Sequence, residues 1–242
     1  TTPDPLYLGQ VGLAYVGDFS NFGFTSPTQG GRYRVQVTPN LGSREFVNVL
    51  FDYRRYFFFN PATIAFRAFQ SGNYGASSDN LGANNFDNLF IRESIGAPYQ
   101  QGFVRGYSFS SFFNEESCRR ANQCNIDRLF GTRVGLVSAE LRLPLLGTDA
   151  FGLVNFPYIP TEFVVFGDAG IAWTNEDLRD FRFSTSTTPE SGFGTELARP
   201  VMSSGVAARM NVLGSAIVEL FYARTFQRDQ DWDFGLLLRP GW

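Results

Sequence analysis

The sequence predicts an all-β fold, an antiparallel transmembrane β-barrel with one long loop turned into its lumen. Three observations carry that expectation. Apolar residues recur at every second position, the spacing of strands rather than helices. One face of each alternating stretch holds charges and small residues, while the other holds almost no charge. A long aperiodic segment rich in aromatic residues separates two groups of such stretches. A soluble antiparallel sandwich alternates in the same way and stays open as an alternative, but its polar face is solvated surface rich in Lys and Glu. Lys is absent here, and closed barrels in lipid show the same dyad repeat with the apolar face outward.

The chain of 242 residues suffices for one large β domain or two small ones. It is 43% hydrophobic, without an uninterrupted apolar run near the roughly 20 residues of a spanning helix. Aromatic residues make up 17%, with 27 Phe, which suits an exterior facing lipid and rims carrying aromatic belts. A net charge of −3 offers no basic field for nucleic acid. All 20 basic residues are Arg, and His is absent as well. Lysine Schiff-base chemistry, histidine general-base chemistry and histidine metal sites are thereby excluded within these residues. No cofactor is expected. Cys118 and Cys124 stand close together in the polar segment SCRRANQC, which points to a local disulfide and an oxidising compartment, with two free surface thiols as the alternative. Two cysteines without histidine make a poor zinc site. No signal peptide is visible at Thr1, so the sequence reads as a mature chain or as the tail of something longer.

About nine strands follow in order. Val11, Leu13 and Tyr15 alternate up to Asp18, and a turn-rich stretch (NFGFTSPTQGG) follows. Arg32 to Thr38 puts Tyr33, Val35 and Val37 on one face. After the turn Asn40-Leu41-Gly42-Ser43, a strand from about Glu45 to Phe57 sets Val47, Val49, Phe51 and Tyr53 against Asn48, Asp52 and Arg54. The Asn60-Pro61 turn leads to Ile64, Phe66 and Ala68, alternating with Ala65, Arg67 and Phe69. Beyond the aperiodic segment, Val137, Ala139, Leu141, Leu143 and Leu145 oppose Ser138, Glu140 and Arg142. Phe163, Val165, Ala169, Ile171 and Trp173 then oppose Phe166, Asp168 and Gly170. A polar loop spans roughly 175–199. Val206, Ala208, Met210 and Val212 oppose Arg209 and Asn211; Val218, Leu220 and Tyr222 oppose Glu219 and Phe221. The last strand sets Trp232, Phe234, Leu236, Leu238 and Trp242 against Asp233, Gly235 and Arg239. Short connections make the neighbours antiparallel.

The aperiodic segment, residues 71–132, is too long to be idle in a compact domain. A disordered surface loop is one reading; its many aromatics favour a loop that packs on something. It contains Gln101-Gly102-Phe103-Val104-Arg105-Gly106-Tyr107. Glu140 and Asp168 lie on the polar faces of their strands, where a loop in the lumen would meet them. A guanidinium fork suits two carboxylates. Gly106 permits a backbone conformation that a side chain hinders, and Gly170, beside Asp168, leaves room for the loop. Tyr107 is expected to pack on the interior wall.

The order of these motifs resembles the BamA/TamA-type surface-antigen superfamily of bacterial outer-membrane barrels. Val104-Arg105-Gly106-Tyr107 stands where that family has its Val-Arg-Gly-Phe/Tyr loop, after a Gly-rich approach (IGAPYQQG). VGLVSAELRLPLL resembles its strand with an inward Glu and a late Pro, FVVFGDAGIAW its Phe-x-Asp-x-Gly-x-x-Trp strand, and WDFGLLLRPGW its closing strand. The likeness is best from about Phe86 to Trp242, and the earlier strands fit more loosely. The resemblance implies a loop inside the lumen whose Arg105 is held by Glu140 and Asp168. It implies a C-terminal assembly signal presented by Phe234, Leu236, Leu238 and Trp242. It also implies sixteen strands, so that residues 1–242 would be the C-terminal portion of the barrel, with the other strands expected before Thr1.

Location in the outer membrane, among its lipid and lipopolysaccharide, follows from the resemblance. So does work in the insertion, assembly or translocation of proteins, with client outer-membrane proteins, upstream periplasmic domains or envelope-complex subunits as partners. Two alternatives stay open: a membrane anchor or transport barrel of a larger fusion protein, and a structural subunit of an envelope complex. The Arg105 pairing itself serves either the mechanism or merely the stability of the lumen. An enzyme is not expected. Paired carboxylates run glycoside chemistry, but Glu140 and Asp168 are better explained as partners of Arg105, and a phospholipase site would want a histidine.

Overall fold

The computed structural model describes residues 7–79, 91–96, 103–108, 128–149, 152–156, 158–174, 200–212, 214, 216–228 and 231–240. Fourteen strands and one helical turn appear among them. The N-terminal group is β1 (Leu8–Gln10), β2 (Leu13–Asp18), β3 (Asn21–Phe22), β4 (Pro27–Gly42), β5 (Phe46–Phe59) and β6 (Ala62–Tyr74). The helical turn α1 (Ala76–Asp79) and the short strands β7 (Glu93–Ser94) and β8 (Phe130–Gly131) lie in the long loop. The C-terminal group is β9 (Arg133–Gly147), β10 (Val154–Asn155), β11 (Thr161–Trp173), β12 (Val201–Val212), β13 (Ala216–Thr225) and β14 (Trp232–Pro240).

Twelve of these strands form one sheet, in the order β1-β4-β5-β6-β9-β11-β12-β13-β14, with β2 and β3 also on β4 and β10 on β9. Every pairing in the sheet is antiparallel except the short β9–β10 ladder. The nine stretches read from alternation all fall on strands of this sheet. Several run further than the periodicity shows. β4 begins at Pro27, inside the turn-rich stretch, and β6 continues through Ser71 to Tyr74, four residues into the expected loop. Among the described residues β14 pairs with β13 alone, and β1, β2 and β3 pair with β4 alone. The sheet described is therefore open at both edges.

The sheet curls strongly. Asn211 on β12 donates through Nδ2 to the Phe24 carbonyl at 2.7 Å, although four strands separate β12 from β4. Ser26 likewise donates to Glu162 of β11 at 2.7 Å. Residues 23–28 thus cross the concave face at one end.

The two faces are inverted relative to a soluble sheet. On the convex face Val35, Phe51, Phe66, Val137 (57%), Val165, Val206, Tyr222 and Leu238 (69%) are exposed. On the concave face Asp52, Arg142, Glu162, Asp168 (4%), Arg209 and Glu219 (0%) are buried. Withdrawing one such apolar side chain from water is worth about 1.5–3 kcal/mol, and burying an unpaired charge costs more. Two apolar clusters also sit on the concave side. One packs Ile95, Val104, Tyr107 and Leu129 from the loop against Phe69, Leu136, Ala172 and Val201. The other packs Phe103 against Val164, Phe166, Ala207, Phe221 and Leu237.

Candidate functional site

Residues Val104–Tyr107 make a tight turn, closed by the Tyr107 N–H donating to the Val104 carbonyl at 3.1 Å. Gly106 occupies its third position with φ of 89°, the positive value that a type II turn requires there. A Cβ at Gly106 would also approach Thr225 Cγ2 to 2.6 Å. The turn projects Arg105 into the concave face. Val104 anchors one side: its N–H donates to the Ile95 carbonyl at 3.1 Å, and its side chain occupies the space over Gly170, where a Cβ would lie 2.5 Å from Val104 Cγ2. Tyr107 anchors the other. Its hydroxyl accepts from the Phe226 and Gln227 N–H groups at 3.1 and 3.0 Å and lies 2.9 Å from the Met202 carbonyl it can donate to. Arg228 donates to the Gly106 carbonyl at 2.7 Å and pairs with Asp233 on β14 at 3.5 Å.

Arg105 is spent entirely inside the molecule. Nε and Nη2 grip Asp168 at 2.7 and 2.8 Å, in the two-pronged geometry that a guanidinium and a carboxylate favour. Nη2 also reaches Glu140 at 3.0 Å and Nη1 reaches Glu219 at 3.1 Å. The guanidinium carbon stands 3.6 Å from the centre of the Phe166 ring, a cation–π contact in a desolvated site. Ser138, directly opposite Asp168 in the β9–β11 register, hydrogen-bonds its carboxylate. Burial alone would lower the pKa of Arg105. The charges of Asp168, Glu140 and Glu219 outweigh that and hold it well above its ordinary value. For Tyr107, burial dominates and pushes the phenol up to about 12, against the backbone donors that favour the phenolate.

The network extends along one rung of the sheet. Glu162, Arg209 and Glu219 are direct cross-strand partners on β11, β12 and β13. Arg209 meets Glu219 at 2.8 Å, and Glu162 and Glu140 each at 3.3 Å. Arg142 holds Glu140 at 2.7 Å and donates to Ser26 at 3.1 Å. Three guanidiniums therefore share four carboxylates in a buried, cross-braced cluster.

The structure brings together Val104, Arg105, Gly106, Tyr107, Glu140, Asp168 and Gly170 of the sequence reading. Phe234, Leu236 and Leu238 lie apart from them, exposed on the convex face of β14. Trp242, Cys118 and Cys124 lie outside the described residues. Sequence reasoning missed Glu219, Arg209, Arg142 and Glu162 as members of the site. Glu219, Arg209 and Arg142 sit on the polar faces read from alternation, so their side was legible. The rung that Glu219 and Arg209 share with Glu162, and the approach of Arg142 to Glu140 beside it, depend on strand order and register, which alternation does not give. No protein-family model matches the chain, and no curated protein matches its sequence.

Proposed function

We propose that this chain belongs to a bacterial outer-membrane β-barrel of the BamA/TamA type that serves the insertion, assembly or translocation of proteins at that membrane. The observation that carries the reading is the turn of Val104 to Tyr107, held through Arg105 by Asp168, Glu140 and Glu219 on the buried face of an inside-out antiparallel sheet. In this reading the convex face meets lipid and lipopolysaccharide, and the concave face lines the lumen. The chemistry is not bond-making. The loop lock keeps the lumen wall and the β13–β14 turn in one arrangement. β14 forms one side of a weak lateral seam, and when the seam parts an incoming strand is templated on its edge by β-augmentation.

The test is Arg105→Ala in cells that depend on the protein, measuring the outer-membrane content of client barrels relative to the protein itself. A fall in that ratio of threefold or more is expected. Wild-type levels of both would remove the lock from the mechanism. The complete internal satisfaction of Arg105 also favours a second reading, in which the lock only stabilises the lumen of an anchor or transport barrel. There the variant's own level falls and client levels follow it in proportion, leaving the ratio unchanged.

A further inference from the structure

A cavity of about 170 Å³ lies at the end of the sheet that carries the Asn60-Pro61 turn. None of the side chains that pair with Arg105 lines it. Four pieces of chain enclose it: residues 23–28 where they cross the concave face, the β5–β6 turn, the end of β9 with the segment after it, and the start of β11. Phe24, Phe58, Pro61, Pro144, Leu146 and Leu153 supply apolar walls. An apolar cavity of about 150 Å³ accepts benzene, so this one has room for a body of one ring or a few methylenes.

The polar part of the lining is one-sided. Thr25 (7%) and Thr63 (3%) are buried against the cavity, and neither hydroxyl bonds any other group of the protein. A buried hydroxyl without a partner is costly, and a ligand that bonds it recovers the loss. Glu162 presents a carboxylate from the start of β11. It accepts from Ser26 at 2.7 Å, but Arg209 gives its shorter bonds to Glu219, at 2.8 and 3.0 Å, and reaches Glu162 only at 3.3 Å. A carboxylate accepts about four hydrogen bonds, so Glu162 has capacity for a further donor. Asp149, exposed just beyond β9, adds a second carboxylate. No basic side chain stands among the described residues of the lining. Acceptors and negative charge around an apolar space select a cation that is rich in donors and has an apolar body.

We propose that this cavity binds a small organic ammonium compound. The apolar body lies between Phe24, Phe58 and Leu153, Glu162 and the two threonine hydroxyls accept N–H groups, and Asp149 offsets the charge. The site is separate from the Arg105 lock and stands whether or not the protein assembles others.

The experiment uses the full chain folded in an uncharged detergent, with benzylammonium as the probe, read by calorimetry and ligand-detected NMR. Saturable binding is expected, at least tenfold tighter than that of benzyl alcohol, which has the same body without the charge, while phenylacetate does not bind. Thr63→Val, which keeps the shape and removes the hydroxyl, and Asp149→Asn are each expected to weaken benzylammonium at least threefold. No saturable binding to the wild type, equal binding of benzyl alcohol or phenylacetate, or unchanged affinity in Asp149→Asn overturns the site. Because Asp149 is exposed and its side chain bonds no other group of the protein, that variant decides the matter even if Thr63→Val fails to fold.

Discussion

At the scale of residues, the loss of Arg105 takes a guanidinium from three carboxylates at once. Removing one partner of a buried ionic cluster strands the rest, at a cost of about 3–5 kcal/mol. Arg105→Ala leaves Asp168, Glu140 and Glu219 facing one another, with Arg209 still bonded to Glu140 and Glu219 and Arg142 to Glu140. Arg105→Lys restores the charge but not the fork, and a single ammonium cannot span Asp168 and Glu219 as two separate nitrogens do here. Urea unfolding of the folded protein is expected to show Lys recovering less than half of what Ala loses. Tyr107 makes a pH prediction. Its folded pKa, about 12, lies above the ordinary value of 10.0 because burial disfavours the phenolate. The neutral phenol is thus the form the fold holds. Its contribution is complete below about pH 10 and is lost as pH rises towards 12. Ultraviolet difference spectra should show one tyrosine ionising late in the wild type and absent in Tyr107→Phe, and the variant's stability should be flatter across that window. Residue-level reading of the sequence put Glu140 and Asp168 on the buried side by strand parity, and singled out Arg105 through the resemblance of its Val-Arg-Gly-Tyr loop. It could not find Glu219, whose approach to Arg105 depends on how far across the sheet the loop reaches.

At the scale of elements, alternation placed the strands and their faces but understated their length. β6 ends in Ser-Gly-Asn-Tyr, which reads as loop. It remains a strand because β9 pairs with it as far as Gly72, and Asn73 is held by the Ile91 carbonyl at 2.8 Å. The start of β4 is similar: Pro27 to Gly31 carry turn chemistry, yet β3 and β5 supply their ladder. Tertiary pairing overrides local preference in such stretches. The inverted faces give this scale its prediction. Val165 lies mid-strand on the convex face of β11, flanked in register by Leu141 and Val206, all three exposed. With that face in lipid, Val165→Arg costs about 2–4 kcal/mol near the bilayer centre. The same change on a water-facing sheet would be nearly neutral or would improve solubility. Unfolding free energies measured from vesicles decide between the two, and a change below about 0.5 kcal/mol, the ordinary size of a surface substitution, would place this face in water.

At the scale of the whole molecule, the all-β class was legible in the sequence, because periodicity reports on faces; the loop's aromatics showed that it packs on something, and its inward course came from the resemblance. Closure was not legible, because it depends on which strands meet at the edges, and periodicity carries no information about partners. The described sheet ends at β14 on one side and at β1 to β3 on the other. In hydrocarbon each unpaired backbone group costs several kcal/mol, so an exposed edge there demands a partner strand. In an antiparallel edge strand, alternate amides point towards the existing neighbour and the others point outward. Residues 232–240 of β14 therefore report on closure one amide at a time. With the convex face in lipid, hydrogen exchange on the protein in isolated cell envelopes is expected to show both sets of β14 amides protected, the outward set through a strand other than β13. In the isolated 242-residue chain only the set facing β13 should remain protected. If the outward set exchanges freely in the envelopes as well, the edge of β14 is open there and does not lie in hydrocarbon.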